Sequence, residues 1–272
     1  MHRTAVPNLN PLSRSITLVA AVNDRRVLGA NLGASPCVVA GSVPIIEEAG
    51  HISAGSAYCS GVRLASTELV VFAHQDVYLP AKWVDRLIMA STYLDSADPS
   101  WAVLGVFGLD NCGKTVGRVW SNGLGSEIGV KLDRPVRASS LDELVIVLRG
   151  GQGIDFDANL PGFHLYGTDI VRIALERGKT AYIFDAPVIH NSLPVRHLGI
   201  DYFRSYRYVQ RKWRGHLPIC TTVMPITRSG WPLARHWIHS VKHHVFAEYP
   251  KRAMRHPAPA QLSLELGYEE AL

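Results

Sequence analysis

The chain has 272 residues, of which 47% are hydrophobic and 19% charged, with a formal net charge of +5. That length suits one large or two small domains with a full apolar core, and the composition excludes a mainly disordered chain. No stretch approaches the ~20 apolar residues of a membrane-spanning helix. The four cysteines, Cys37, Cys59, Cys112 and Cys220, form no C-x-x-C pair, which points to a reducing compartment and away from zinc or a disulfide framework.

Charge is unevenly spread. Between Arg196 and Arg255 twelve Lys/Arg face only Asp201 and Glu248, a local +10, so the remainder sums to about −5. Seven of the twelve histidines fall between His197 and His256. A basic C-terminal region on a mildly acidic body favours anionic partners, or is simply a solvated face.

Residues 1–15 are polar and contain Pro, as in a flexible terminus. Ile16–Val22 is a β-branched apolar run meeting Asn23-Asp24-Arg25-Arg26, which reads as a buried strand and its turn, not a signal peptide. Cys37–Ala40 is expected as a second short strand. Ser53 caps a helix running to about Ala65. Leu69–Ala73 is another buried strand. Pro80 opens a helix with Trp83, Val84, Leu87, Ile88 and Leu94 along one stripe. Trp101–Gly108 is a strand. Residues 109–140 look irregular and Gly-rich, with Arg118 and Trp120 on a strand. Leu144–Leu148 follows as a strand, and then a loop over 156–168. Thr168 is expected to cap a helix ending at Gly178. Ala181–Phe184 is the last strand before Pro187-Val188-Ile189-His190.

Strands and helices alternate over 16–190, which predicts an α/β fold with a mostly parallel sheet flanked by helices. No G-x-G-x-x-G or G-x-x-x-x-G-K-[ST] follows a strand, so neither a dinucleotide fingerprint nor a P-loop is supported. Past His190 a helix over 200–214 carries Tyr202, Tyr206, Val209 and Trp213 on one side and arginines between them. A second amphipathic helix is expected over Trp231–Tyr249.

Chemistry concentrates at strand ends, where open α/β sheets bind ligands. Asp76 closes the run Val70–Val77. His74 precedes it by two, which on an extended strand puts both side chains on one side. Such a pair can share a divalent cation, or the histidine can merely bond a neighbour. Asp169, in the first turn of its helix, is either a proton acceptor held ionised by the helix dipole or an ordinary first-turn carboxylate. His190 is either a satisfied buried histidine or a second approach to Asp76.

Three segments together carry a resemblance. Phe72-Ala73-His74-Gln75-Asp76-Val77 resembles the F-x-H-Q-D-V signature of glycosyltransferase family 2-like proteins related to the StrF-type domain. Phe156-Asp157 with Gly162-Phe163-His164-Leu165-Tyr166-Gly167-Thr168-Asp169, and Val188-Ile189-His190-Asn191-Ser192, fit the same pattern in the same order. The similarity covers about 16–195, so the expected organisation is a flexible terminus (1–15), a catalytic domain (16–195), a basic helical extension (196–256) and a tail (257–272).

The resemblance implies a GT-A-like, Rossmann-like fold and a metal-dependent inverting glycosyltransferase (EC 2.4). The acceptor hydroxyl would belong to polysaccharide, glycolipid or natural-product synthesis. The alternative is a catalytically silent module that binds nucleotide sugar or glycan. It implies Mn2+ or Mg2+ held by Asp76, His190 and His74, with His74-Gln75-Asp76 standing where the family has D-x-D. It implies Asp169 as base and a UDP- or GDP-linked sugar donor near Asn23, Asp24, Gln75 and Asp76. The acceptor, whether glycan, lipid-linked or small molecule, would lie near His164, Tyr166, Trp120 and Arg118. The expected location is cytoplasmic, peripheral to the inner face of an anionic membrane, and nucleic acid is not an expected partner. The aromatic helix at 200–214 is expected to pack on the domain in preference to lipid.

Overall fold

The computed structural model describes residues 14–194, 198–246 and 254–270, the side chains of 239–246 excepted. The expected loose terminus therefore lies outside the described residues except for its last two positions. Twelve strands are found among the described residues: β1 Ile16–Val22, β2 Ile45–Ala49, β3 Leu69–Ala73, β4 Val77–Tyr78, β5 Trp101–Gly105, β6 Phe107–Asp110, β7 Thr115–Ser121, β8 Ser126–Val130, β9 Val136–Leu141, β10 Val145–Arg149, β11 Thr180–Ile183 and β12 Val188–His190. They form one hydrogen-bonded path, β2-β1-β3-β10-β5-β11-β9-β6-β7-β12-β4, with β8 pairing on β7.

The sheet is mixed, which corrects the expectation of a mostly parallel one. Parallel pairing holds for β1 with β2 and β3, for β5 with β11, and for β7 with β12. Antiparallel pairing joins β10 to β3 and β5, and joins β6, β7, β8 and β9 among themselves. Part of the cause is the segment 109–140, expected to be irregular. Its tight turns make β6, β7 and β8 antiparallel neighbours, and β9 pairs antiparallel with β6 and β11. Gly113, at φ +77°, makes the β6–β7 turn.

The helices are α1 Arg25–Ala30, α2 Pro36–Val39, α3 Ala54–Leu64, α4 Trp83–Ala97, α5 Tyr166–Glu176, α6 Ile200–Lys212, α7 Trp231–Phe246 and α8 Pro259–Glu265. Cys37–Ala40 is thus part of a helical turn and not a strand. Ser35 precedes Pro36, whose fixed φ suits the first helical position, and local turn chemistry overrides the β-branched valines. Ser53 caps α3 as expected, its hydroxyl accepting the Ser56 N–H at 3.2 Å. The helix expected at Pro80 begins only at Trp83, after one turn. The run Trp101–Gly108 is split in two at Val106.

Two apolar layers sandwich the sheet. One gathers α3, α5 and α6 with Phe72, Ile146, Phe156 and Tyr166. The other gathers α4 with Val71, Leu104, Val147 and Phe184. Tyr202, Tyr206 and Val209 of α6 are buried in the first layer, so this helix belongs to the core, as its aromatic stripe suggests.

Close helix–loop approach fixes α3 against the 154–165 loop. A Cβ on Gly55 would meet the Asp157 carbonyl oxygen at 2.1 Å, whereas one on Gly29 would meet nothing within 4 Å. Gly55→Ala is therefore expected to destabilise by about 2 kcal/mol through overpacking against a backbone that cannot retreat, and Gly29→Ala to be neutral or stabilising by up to about 1 kcal/mol. Urea denaturation of the two variants checks the sign of each.

Candidate functional site

The carboxyl ends of β1, β2 and β3 open onto one cavity of about 780 Å3. Its lining includes Asn23, Glu48, His51, Tyr58, His74, Gln75, Asp76, Phe163 and Arg255.

β3 stops at Ala73, and the chain turns through His74-Gln75-Asp76-Val77, closed by the Val77 N–H on the His74 carbonyl at 3.1 Å. His74 and Asp76 thus converge through a turn, not through strand alternation as expected from the sequence. β4 then pairs antiparallel with β12, matching Val77 with His190. The Asn191 N–H donates to the Asp76 carbonyl at 2.9 Å. This pairing brings His190 from the far end of the sequence: His190 Nε2 lies 3.6 Å from Asp76 Oδ1. Ligand atoms of His74, Asp76 and His190 all lie within 4.8 Å of one another.

The set fits a divalent cation. One carboxylate and two imidazoles make a mixed oxygen and nitrogen donor set that divalent transition metals, Mn2+ among them, accept. The second shell also favours binding. The Tyr166 hydroxyl donates its only proton to the Glu143 carbonyl at 2.9 Å and sits 2.7 Å from His74 Nε2. It must therefore accept from an Nε2–H, which leaves Nδ1 of His74 unprotonated, as a metal ligand requires. Burial, outweighing Asp76, holds His74 below its ordinary pKa, which keeps it neutral. Burial pushes the Asp76 carboxyl up, but hydrogen bonding and charge from His190, His74 and Arg255 outweigh it and hold it well below the usual carboxylate range. Leu165, just before Tyr166, has a non-glycine φ of +64°, a strained conformation of the kind stored at binding sites.

The other expected site residues divide. Gln75 accepts the Asn23 and Asp24 N–H groups at 3.0 and 3.1 Å and donates to Asn23 Oδ1. It ties the β1 and β3 turns together beneath the cavity mouth. Asp24 caps α1 through the Arg26 N–H at 2.9 Å and does not line the cavity. His164 packs its ring 5.4 Å from that of Tyr202, and burial lowers its pKa.

Arg118 and Trp120 are not brought to the cavity. They share one face of β7. Arg118 grips Asp185 with two bonds at 3.0 and 2.7 Å and stacks over Tyr268, and Trp120 packs with Tyr78, Ile189 and Leu262. That face docks the C-terminal segment.

Asp169 is 1% exposed. Its oxygens accept from Lys212 Nζ at 2.8 Å and Trp213 Nε1 at 2.6 Å. Burial pushes it above its ordinary pKa despite Lys212. The helix carrying it begins at Tyr166, not after Thr168. In this arrangement the carboxylate holds the basic extension to the domain, and each of its oxygens already accepts one hydrogen bond.

Sequence reasoning missed Glu48 and His51, paired at 2.8 Å in the cavity, because β2 was misplaced. The strand-end rule that flagged Asp76 applies to them equally. It also missed Arg255, whose Nη1 reaches Asp76 Oδ2 at 2.9 Å from a segment 179 residues away.

No family model matches the chain. It is 28% identical over 174 residues to "ATP synthase subunits region ORF 6" of Fuscovulum blasticum, covering 61% of this chain and 69% of that protein. Among solved structures it is similar to a mannosyltransferase from Pyrobaculum calidifontis in complex with GDP-Man and Mn2+. There the identity is 12% and the TM-score 0.41, covering 94% of this chain and 71% of the other. It is also similar to GalNAc-T7 with UDP, GalNAc and Mn2+ (12%, TM-score 0.45, 90% of this chain and 59% of the other) and to TarS of S. aureus (12%, TM-score 0.44, 73% and 39%). The chain therefore spans less than two thirds of the last two, and scores of this size fix neither fold nor activity for it.

Two outcomes follow from the local chemistry. Asp169→Ala is expected to destabilise by about 1–3 kcal/mol, since it strands the Trp213 N–H and removes one of the two carboxylates on Lys212. A urea midpoint that does not move would overturn this structural role of Asp169. Burial first, then the adjacent Asp142, pushes Glu143 up to about 8. Its folded pKa is raised, so the folded state keeps a proton that the unfolded chain has released. Stability is then expected to fall as pH rises from about 4.5 through about 8. Glu143→Gln should flatten that slope in a pH series of thermal melts.

Proposed function

We propose that this chain is a divalent-cation-dependent glycosyltransferase of GT-A-like architecture that takes a nucleotide-sugar donor, UDP- or GDP-linked, into the β1–β3 cavity. The observation that carries the reading is the convergence of His74, Asp76 and His190 at a strand end, on the rim of a cavity of about 780 Å3. A cation held there supplies charge neutralisation for a diphosphate leaving group. Asn23, Gln75, Glu48 and His51 offer polar atoms along the cavity for the nucleoside. The aromatic group Tyr58, Phe72, Phe156 and Tyr166, with ring centroids 4.8–6.0 Å apart, makes a stiff floor that holds His74 in place.

Direct displacement by an acceptor hydroxyl, with inversion, is the mechanism that needs no enzyme nucleophile. In that mechanism Asp169 serves as base only when Lys212 and Trp213 release it. The sequestered state of Asp169 favours a second reading, a module that binds nucleotide sugar without turnover. The acceptor in the first reading is a glycan, a lipid-linked sugar or a small molecule. No helix among the described residues is long and apolar enough to cross a membrane. The exposed Trp231, Trp237 and Ile238 of the basic helix α7 suit peripheral contact with an anionic leaflet.

Calorimetric titration of UDP and GDP, with and without Mn2+, tests both readings. Binding is expected to depend on Mn2+ and to be lost in Asp76→Ala. Turnover of the matching nucleotide sugar then separates enzyme from module, and no nucleotide binding under either condition overturns both.

A further inference from the structure

The C-terminal segment is built into the site, not appended to it. Residues 254–270 lie against β4, β7 and β12. Leu262 and Tyr268 are buried with Tyr78 and Ile189. Glu269 accepts the Ala81 N–H and the Ser263 hydroxyl. At the cavity end the attachment is tighter still. Asn191, next to the ligand His190, takes the His256 N–H on its side-chain oxygen at 2.7 Å and donates to the His256 carbonyl at 2.9 Å. That reciprocal pair copies a strand ladder in miniature. It fixes the backbone directly beside Arg255.

Arg255 is aimed by this clasp into the cavity it lines. Its Nη1 donates to Asp76 Oδ2 and to the Asn191 carbonyl. The other carboxylate oxygen, Oδ1, is the one that faces His190. Asp76 thus has one oxygen turned to the imidazole and one to the guanidinium. A carboxylate bridging in this way lets a cation and an arginine stand side by side, with both facing the same cavity. A guanidinium has five N–H donors in a planar fork, and among the described residues only Nη1 is engaged, which leaves donors matched to phosphate oxygens.

We propose that Arg255 is a ligand of the donor's phosphate groups, held in place by the Asn191–His256 clasp, and that the C-terminal segment is therefore an integral wall of the nucleotide-sugar site. This rests on the glycosyltransferase reading above and names a residue that the sequence motifs do not contain. The competing role is purely local: Arg255 merely neutralises Asp76.

The two roles separate by binding. Titrations on the full chain would measure Mn2+ alone, and then UDP and GDP in saturating Mn2+, for wild type, Arg255→Ala, Arg255→Lys and Asn191→Ala. A phosphate ligand predicts nucleoside diphosphate affinity ~10- to 100-fold weaker in Arg255→Ala, partial recovery in Arg255→Lys, and an intermediate loss in Asn191→Ala. It also predicts Mn2+ affinity that is unchanged or higher, because Asp76 has lost a competing cation. Diphosphate affinity in Arg255→Ala equal to wild type, in a variant whose thermal midpoint is retained, overturns the role of Arg255 and leaves the glycosyltransferase reading intact. A wild type that binds neither UDP nor GDP with Mn2+ overturns that reading and the Arg255 role with it. Should Arg255→Ala fail to fold, Arg255→Lys carries the test: a loss of the fork with the charge kept, and without any loss of diphosphate affinity, overturns the proposal.

Discussion

The structure depends on a four-residue turn whose geometry is set by two backbone hydrogen bonds. One closes His74 to Val77 and the other joins Asn191 to Asp76. A two-residue strand such as β4 has no stability of its own. It exists because β12 pairs with it on one side and β7 holds β12 on the other. Through that chain of pairings the meander β6–β9, remote from the cavity, determines where His190 stands. A register shift of one residue would turn His190 to the opposite face, and the three-residue cluster would lose a member with no change in sequence.

The basic C-terminal region takes part in the same arrangement from two directions. Lys212 pairs with Asp157 at 2.7 Å and with Asp169 at 2.8 Å, and Arg255 pairs with Asp76. Part of the positive charge that looks like an anionic-surface signal in the sequence is therefore turned inward, against carboxylates of the domain. Breaking one partner of such partly buried pairs is costly because the survivor keeps its desolvation penalty. The extension and the domain are accordingly one folding unit at α6, whose Tyr202, Tyr206 and Val209 complete the core. The arginines on its outer face, such as Arg204, whose side chain is 64% exposed, remain available to solvent.

Legibility followed burial. The runs Ile16–Val22, Leu69–Ala73 and Val145–Arg149 were readable because strands buried on both faces leave uninterrupted apolar segments. The α6 stripe was readable because aromatics recur at helical spacing. Residues 109–140 were not, because β8 is an edge strand exposed on both faces, so it carries no apolar run, and its turns are glycine-rich. Arg118 and Trp120 were placed on a strand correctly, but no spacing rule says which face of β7 meets the cavity and which meets the tail. Asp76 was legible from its strand end alone. Arg255 was not, since it is one of twelve basic residues in its region, close to Lys251 and Arg252, and its partner is 179 residues away. Its role comes from a tertiary clasp at Asn191, a residue inside a quoted motif but without any local signal of its own.

The electrostatics of the cavity follow from these placements. Asp76 is mostly buried, which by itself would favour its neutral form, yet hydrogen bonds from His190 and Arg255 keep it ionised. With the imidazoles neutral, as metal ligands must be, the Asp76 carboxylate and the Arg255 guanidinium balance each other. A divalent cation bound beside Oδ1 would leave the site with an excess of positive charge. Beside a largely buried carboxylate such an excess is unfavourable until an anion arrives. Cation and anion are therefore expected to bind cooperatively, each weakly alone, and a diphosphate is the ligand whose charge and paired oxygens match a cation and an arginine separated by a single carboxylate. A neutral glycan would leave the excess uncompensated. This charge balance, more than the shape of the cavity, is what favours the proposed nucleotide-linked donor.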